Sequence, residues 1–364
     1  MTRILFSLSC LAALGVALTA FVIRWELASP GASLFLTHDA QPDGYQYLAF
    51  VQVHRLTCFL AVMLVGTALS SASRDKGALL SALFMWLGLV LSVSLTVLVI
   101  LLTLPPIGLE TAESPGAGVG WILYPPLYTP TSLLLQMFPG LDPFLLGHVG
   151  QMIALPANAM LYLGVYAMAS TLPKFRFMSV VGLVTVIAAL LLTTRSMHMI
   201  TVPYAWLWIA ALVVPFLVCA ALSLMAERRP WLIIMTFGVV FITVTPAALA
   251  QTTDGLALNG TMAIIAIQYL FPMGLAWFAL PALLLFTRDA PLQRWKVWAI
   301  PTTIVTSLCI WVIPLFHLGR IGMPAHYVDY PSAFAPLNLE VSIGVAVFAM
   351  IYLTVIAALL RRRA

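Results

Sequence analysis

His54 and Arg55 stand next to each other inside a long apolar run, from Gln46 to about Ser70. A polar side chain in hydrocarbon is costly unless it is paired, so ionisable residues at this depth mark candidate functional sites. Histidine is also the commonest ligand of metals and a frequent ligand of heme. Two interpretations stay open at this point. Either His54 binds a cofactor, or a neighbouring helix satisfies His54 while Arg55 pairs with a carboxylate or a carbonyl.

A second set of candidate ligands lies near the ends of other apolar runs. His148, Met197 and His198 combine imidazole and thioether groups, which are suited to copper(I). No two histidines of the chain lie four residues apart, the spacing that places two side chains on one face of a helix. The alternative is therefore that these histidines are scattered at the polar edge of a membrane.

The chain that positions these residues has the composition of a membrane protein. It has 364 residues, of which 62% are hydrophobic and 8% are charged. Apolar runs long enough to cross a bilayer recur along it, which predicts an all-α fold. We expect a polytopic membrane helical bundle that forms a single domain over residues 1–364. The predicted spans number about ten and cover roughly 4–23, 46–70, 78–103, 144–170, 177–195, 204–225, 231–251, 261–286, 297–317 and 340–360.

The distribution of charge predicts the topology and the partners. Lys and Arg concentrate in alternate loops and at the C-terminus, whereas the loop 104–143 contains neither. The positive-inside rule then places both termini in the cytoplasm and the loops 24–45, 104–143 and 318–339 outside. The expected location is a bacterial inner membrane, with the lipid bilayer as a partner. The net charge of +5 does not indicate a nucleic-acid partner, because the basic residues lie in short loops and at the C-terminus.

Several short motifs occur along the chain in a fixed order. Tyr47 precedes His54 by seven residues, and the others are Arg24-Trp-Glu-Leu with Pro30-Gly31, Gly118–Leu127, Asp142–His148, His198–Val202, Tyr269 with Met273-Gly274, and Gly322–Asn338. In this order they resemble motifs of the heme–copper oxidase subunit I family, which catalyses oxygen reduction. The resemblance covers nearly the whole chain. It implies a shortened version of that fold, because the family has twelve spans and the fourth and fifth would fall between Leu127 and Asp142.

The resemblance also implies that most cofactor ligands of the family are replaced here. Ala266 stands at the position of the high-spin heme ligand, and Gln268 at that of the second low-spin heme ligand. Leu155 replaces a copper ligand, and Met197-His198 replaces a pair of histidines. The two arginines that hold the heme propionates are Ala325 and His326, so the charge-assisted bonds of two guanidiniums are lost.

Three hypotheses for the function follow from the resemblance and these replacements. The first is a non-catalytic relative that acts as a subunit or assembly partner in a respiratory membrane complex, with other subunits as partners. The second is an electron-transfer protein that keeps one low-spin heme on His54, with Gln268 on the opposite face of the iron and Arg24 and Trp121 at the heme edge. The third is an outer-face copper or small-ligand binder or transporter that uses His148, Met197 and His198. Oxygen reduction is not expected, and the sequence leaves open whether heme or copper is bound.

Overall fold

The computed structural model describes residues 1–28, 44–103, 143–195, 214, 216–225, 229–251, 261–288, 292–324 and 332–361. Within these residues the regular structure is helical throughout, apart from one isolated antiparallel bridge between Thr261 and Pro324. The α-helices are α1 Thr2–Ala28, α2 Gly44–Asp75, α3 Ser81–Thr103, α4 Pro143–Ala169, α5 Met178–Arg195, α6 Phe216–Met225, α7 Pro230–Gln251, α8 Met262–Tyr269, α9 Leu275–Arg288, α10 Arg294–Arg320 and α11 Ala335–Arg361. The prediction of an all-α protein is confirmed for this part of the chain.

Each predicted span overlaps at least one of these helices, and the span at 261–286 overlaps both α8 and α9. Within the described ranges, four helical stretches are long and apolar enough to cross a membrane: Thr2–Ala28, Val53–Asp75, Trp295–Arg320 and Ser332–Arg361. Large apolar side chains such as Leu8, Trp86, Ile313 and Met350 are exposed on the outside of the bundle, as expected for contact with lipid. The chain therefore has the character of an integral membrane protein. The count of ten spans and the orientation of the termini stay predictions.

Helix α2 is the central helix of the bundle. In its most apolar 18-residue window 89% of the residues are buried, against 28% for α1 and 33% for the stretch that contains α11. It packs against α1, α3, α4 and α9. Small residues allow this packing, because a Cβ atom added at Gly66 would collide with the backbone of Met160 in α4. The buried hydroxyls of Ser70 and Ser73 donate to carbonyls four residues earlier, so they need no partner from another helix.

Helices α8 and α9 form one continuous helical run that is interrupted by a π-helical turn at Leu270–Gly274. This turn contains Pro272, which has no N–H group to donate to an α-helical hydrogen bond. Helix α8 begins at a Thr261 cap, whose hydroxyl accepts a hydrogen bond from the Ala263 amide at 3.3 Å. Its first turn lies directly on α10, where a Cβ atom at Gly319 would collide with Ala263. Tyr269 is thereby placed at the end of a well-anchored helix, just before the π turn.

Aromatic side chains fill the space between α8, α9, α10 and α11. The ring of Trp311 meets Tyr269 edge-on at 5.2 Å between centroids, and Trp277 meets Phe348 in the same way at 4.8 Å. The Tyr352 hydroxyl donates to the Trp277 carbonyl at 2.9 Å, which ties α11 to α9. This cluster forms the wall behind Tyr269 and restricts the movement of its ring.

Candidate functional site

His54 lies where α1, α2 and α8 meet, and both nitrogens of its ring have side-chain partners. Nδ1 lies 2.7 Å from the Thr19 hydroxyl oxygen on α1. Nε2 lies 3.1 Å from the Tyr269 hydroxyl oxygen on α8. The partly buried imidazole therefore joins three helices through two hydrogen bonds.

The hydrogen bonds of Thr19 determine which nitrogen of His54 carries the proton. The Thr19 hydroxyl has one proton, which it donates to the Gly15 carbonyl at 2.7 Å or, less closely, to the Val16 carbonyl at 3.1 Å. Its oxygen must then accept the hydrogen bond from His54, so the proton of the neutral ring is on Nδ1. Nε2 consequently presents a lone pair to Tyr269. The arrangement orients one ring nitrogen as an acceptor or a ligand.

Cys58 brings a sulfur atom to the same nitrogen. It lies one helical turn after His54 on α2, and its Sγ atom is 3.7 Å from Nε2. The thiol donates to the Tyr269 hydroxyl at 3.4 Å, and the tyrosine hydroxyl can donate onward to Nε2. The Tyr269 ring also lies nearly parallel to the imidazole, at 12° and 5.6 Å between centroids. A thiol, a phenol and an imidazole therefore converge on one point.

The two arginines near the site have different surroundings. Arg24 donates to the Asn338 side-chain oxygen at 3.3 Å and to the Met262 sulfur at 3.4 Å, so it links α1 to α8 and α11. The Asn338 amide in turn donates to the Phe334 carbonyl at 3.0 Å. The guanidinium of Arg55 lies over the Phe59 ring, 5.8 Å from its centroid. This contact is a cation–π interaction between two residues four positions apart on α2.

The structure describes only part of the other residues that the sequence predicts to form sites. Gln268 and His148 have described backbones in α8 and α4, but their side chains lie outside the description. Trp121, Met197 and His198 lie outside the described residues altogether. The prediction of a copper site on His148, Met197 and His198 therefore stays a prediction. Among the described side chains, no group of three or more His, Cys, Asp or Glu residues is placed to hold a metal ion.

Sequence reasoning missed two partners of His54. Cys58 could have been predicted as a neighbour of His54, because it lies four residues later and hence on the same helix face. The contact of Thr19 could not have been predicted, because no local sequence pattern relates it to a residue 35 positions later. Tyr269 entered only through a motif of the resemblance, and its contact with His54 depends on the packing of α8 against α2.

A low-spin heme does not fit the arrangement around His54. An axial heme ligand binds iron through the lone pair of its ring nitrogen, and the macrocycle lies across that direction. Here the Tyr269 hydroxyl occupies that direction at 3.1 Å from Nε2, with its ring stacked beside the imidazole. Trp311 packs edge-on against the same tyrosine and so restricts its movement away from Nε2. Ala266, which the resemblance would place at the high-spin heme position, is fully buried and offers only a methyl group.

Comparison with known protein families and curated proteins identifies no relative of the chain. No protein-family model matches the chain. No curated protein matches it either. The likeness of the short motifs to heme–copper oxidase subunit I therefore stays a prediction, and the functional argument depends on the geometry at His54.

Proposed function

We propose that this protein is a non-catalytic relative of heme–copper oxidase subunit I that acts as a subunit or assembly partner in a respiratory membrane complex. The observation that carries the proposal is the contact between the Tyr269 hydroxyl and Nε2 of His54 at 3.1 Å. His54 stands at a heme-ligand position of the family that the chain resembles, and here its ring nitrogens join α1 and α8 to α2. We place the protein in a bacterial inner membrane with both termini in the cytoplasm, because of the distribution of Lys and Arg.

The hydrogen bonds of His54 suit a structural role. Hydrogen bonds between helices in a membrane contribute on average about 0.6 kcal/mol and at most about 1.7 kcal/mol. The bonds of His54 to Thr19 and Tyr269 are thus too weak to hold the bundle together by themselves. They favour one register of α1 and α8 against α2, because any other register leaves a polar ring nitrogen unpaired in an apolar surrounding. A scaffold that must present one defined surface to other subunits benefits from such a fixed register.

A second candidate function is electron transfer through one heme on His54, and one observation favours it. The bond from Nδ1 to Thr19 leaves Nε2 as the nitrogen with the lone pair, and histidine ligands are usually oriented by such a hydrogen bond at the other ring nitrogen. In this alternative the contact between Tyr269 and Nε2 would have to break, and Gln268 would be the second ligand that the resemblance implies.

An absorption spectrum separates these two functions. The protein is purified from its native membrane in mild detergent, and heme is quantified as the pyridine complex. We expect no stoichiometric heme, and no cyanide-sensitive oxygen consumption with reduced cytochrome c or quinol as the electron donor. One heme per chain that is lost in His54→Ala and kept in His317→Ala would establish the electron-transfer function instead. His317 is a suitable control because it is an exposed histidine near the end of α10.

The role in assembly has a separate test. Membranes from a strain without this chain are compared with the parent on native gels, with antibodies against respiratory subunits. We expect less of one assembled respiratory complex, and recovery when the chain is supplied again. If the chain migrates alone and its deletion leaves every respiratory complex at its normal level, the proposal fails.

A further inference from the structure

Three side chains that can bind a metal converge between α2 and α8, at His54, Cys58 and Tyr269. The distances are 3.1 Å from Nε2 to the Tyr269 oxygen, 3.4 Å from that oxygen to the Cys58 sulfur, and 3.7 Å from the sulfur to Nε2. The point equidistant from these three atoms is about 2.0 Å from each of them. This distance is close to the metal–nitrogen and metal–oxygen bond lengths of protein sites, and it is a few tenths of an ångström shorter than a metal–sulfur bond. A small outward shift of Sγ would therefore complete a trigonal site. We propose that His54, Cys58 and Tyr269 form a binding site for copper(I).

The histidine is oriented for this role by its other nitrogen. Thr19 accepts the hydrogen bond from Nδ1, since its own proton goes to a backbone carbonyl of α1. Histidines that bind metals usually donate their second N–H in this way, which sets both the tautomer and the direction of the ring. Thr19 is therefore a positioning residue, which holds the ring of His54 with Nε2 directed at the site.

The chemistry of the ligands selects copper(I) over other metals. The thiolate of Cys58 and the imidazole of His54 are soft and intermediate ligands that suit copper(I), and the neutral Tyr269 hydroxyl is a weak third donor. Magnesium, calcium and manganese prefer carboxylate, carbonyl and water oxygens. On binding, the Cys58 thiol loses its proton to water and the sulfur bonds to the metal, with no change of oxidation state. Tyr269 keeps its proton, gives up its hydrogen bond to Nε2 and turns a lone pair of its neutral hydroxyl oxygen to the metal. Copper(I) and one thiolate sum to zero charge, but zinc(II) would leave an excess positive charge in apolar surroundings beside Arg55.

The copper site goes beyond the scaffold function and differs in its ligands from a site on His148, Met197 and His198. The copper site requires no heme, so a spectrum that lacks heme bands does not contradict it. Conversely, a protein that binds no copper would still satisfy the proposed scaffold function. The two proposals therefore fail in different experiments.

The test measures copper(I) alone on the full-length protein. The purified chain is reduced, loaded with copper(I) without oxygen, and dialysed against a chelator specific for copper(I). Retained metal is counted by mass spectrometry, and X-ray absorption at the copper edge reports the ligand atoms. We expect one copper per chain, bound by one sulfur and by nitrogen or oxygen. Cys58→Ser should bind copper at least tenfold more weakly than the parent, and Tyr269→Phe should weaken binding by a smaller factor.

Two control variants test whether bound copper depends on the thiol of Cys58 and on no other thiol. Cys219→Ser removes another buried thiol and should retain copper like the parent. A variant with Cys10, Cys219 and Cys309 all changed to Ser keeps only Cys58, and it should bind one copper with one sulfur even where Cys58→Ser proves too unstable to purify. The proposal is overturned when the parent holds no copper, when Cys58→Ser holds as much as the parent, or when the copper of the triple variant has no sulfur neighbour.

Discussion

The contact between α2 and α4 leads to a quantitative prediction, because α2 carries His54. At Gly66 an added Cβ atom would meet the backbone of Met160 and lie 2.7 Å from the Leu161 nitrogen. These atoms belong to the main chain of α4, so no side-chain rotation can relieve the clash. We therefore expect Gly66→Ala to force the two helices apart.

The expected size of the effect follows from two opposing contributions. Overpacking of this kind typically costs about 1–3 kcal/mol, and more when backbone must move. Alanine gains up to about 1 kcal/mol over glycine inside a helix. The clash dominates, and we expect Gly66→Ala to lower the free energy of unfolding by about 1–2 kcal/mol.

A glycine on α1 provides the matched control. A Cβ atom at Gly15 would meet only the Thr57 methyl group, at an ordinary distance of 3.5 Å. Gly15→Ala should therefore be neutral or stabilise the protein by up to about 1 kcal/mol. Both variants are unfolded by titration with SDS in mixed micelles, followed by circular dichroism. Equal stabilities of Gly66→Ala and Gly15→Ala would show that α2 and α4 do not meet backbone to backbone.

Three further predictions concern the site and the topology. Thr19→Val removes the acceptor of the His54 Nδ1 proton, and we expect a loss of about 0.6–1.7 kcal/mol in the same SDS titration, which Thr19→Ser should avoid. Unchanged stability of the valine variant would contradict a stabilising hydrogen bond between Thr19 and His54. Arg24→Gln shortens the side chain that reaches Asn338, so we expect α1 and α11 to separate more readily, seen as faster proteolysis in native detergent. Wild-type resistance would refute this link. A reporter fused after Ala364 should be active only in the cytoplasm, and activity outside the cell would reverse the topology.

The sequence by itself determined the helical segments, because helix formation in an apolar run is a local property. The run predicted at 231–251 forms α7 at Pro230–Gln251, and the run predicted at 144–170 forms α4 at Pro143–Ala169. Hydropathy and length suffice here, since a backbone in an apolar surrounding must satisfy its own hydrogen bonds within the helix. The π turn after Tyr269 was not predicted, although Pro272 is the residue that accounts for it.

The surroundings of His54 were decided by the tertiary structure, except for Cys58, which shares its helix. Thr19 and Tyr269 are 35 and 215 residues away from His54 along the chain. Their meeting depends on the rotation and register of α1 and α8 against α2, which are set by many weak contacts such as those of Gly66 and Gly319. A hydropathy pattern records where a helix lies but not which way each of its polar side chains faces. For this reason the sequence identified His54 as a candidate ligand, and only the packing of three helices showed which atoms surround its two ring nitrogens.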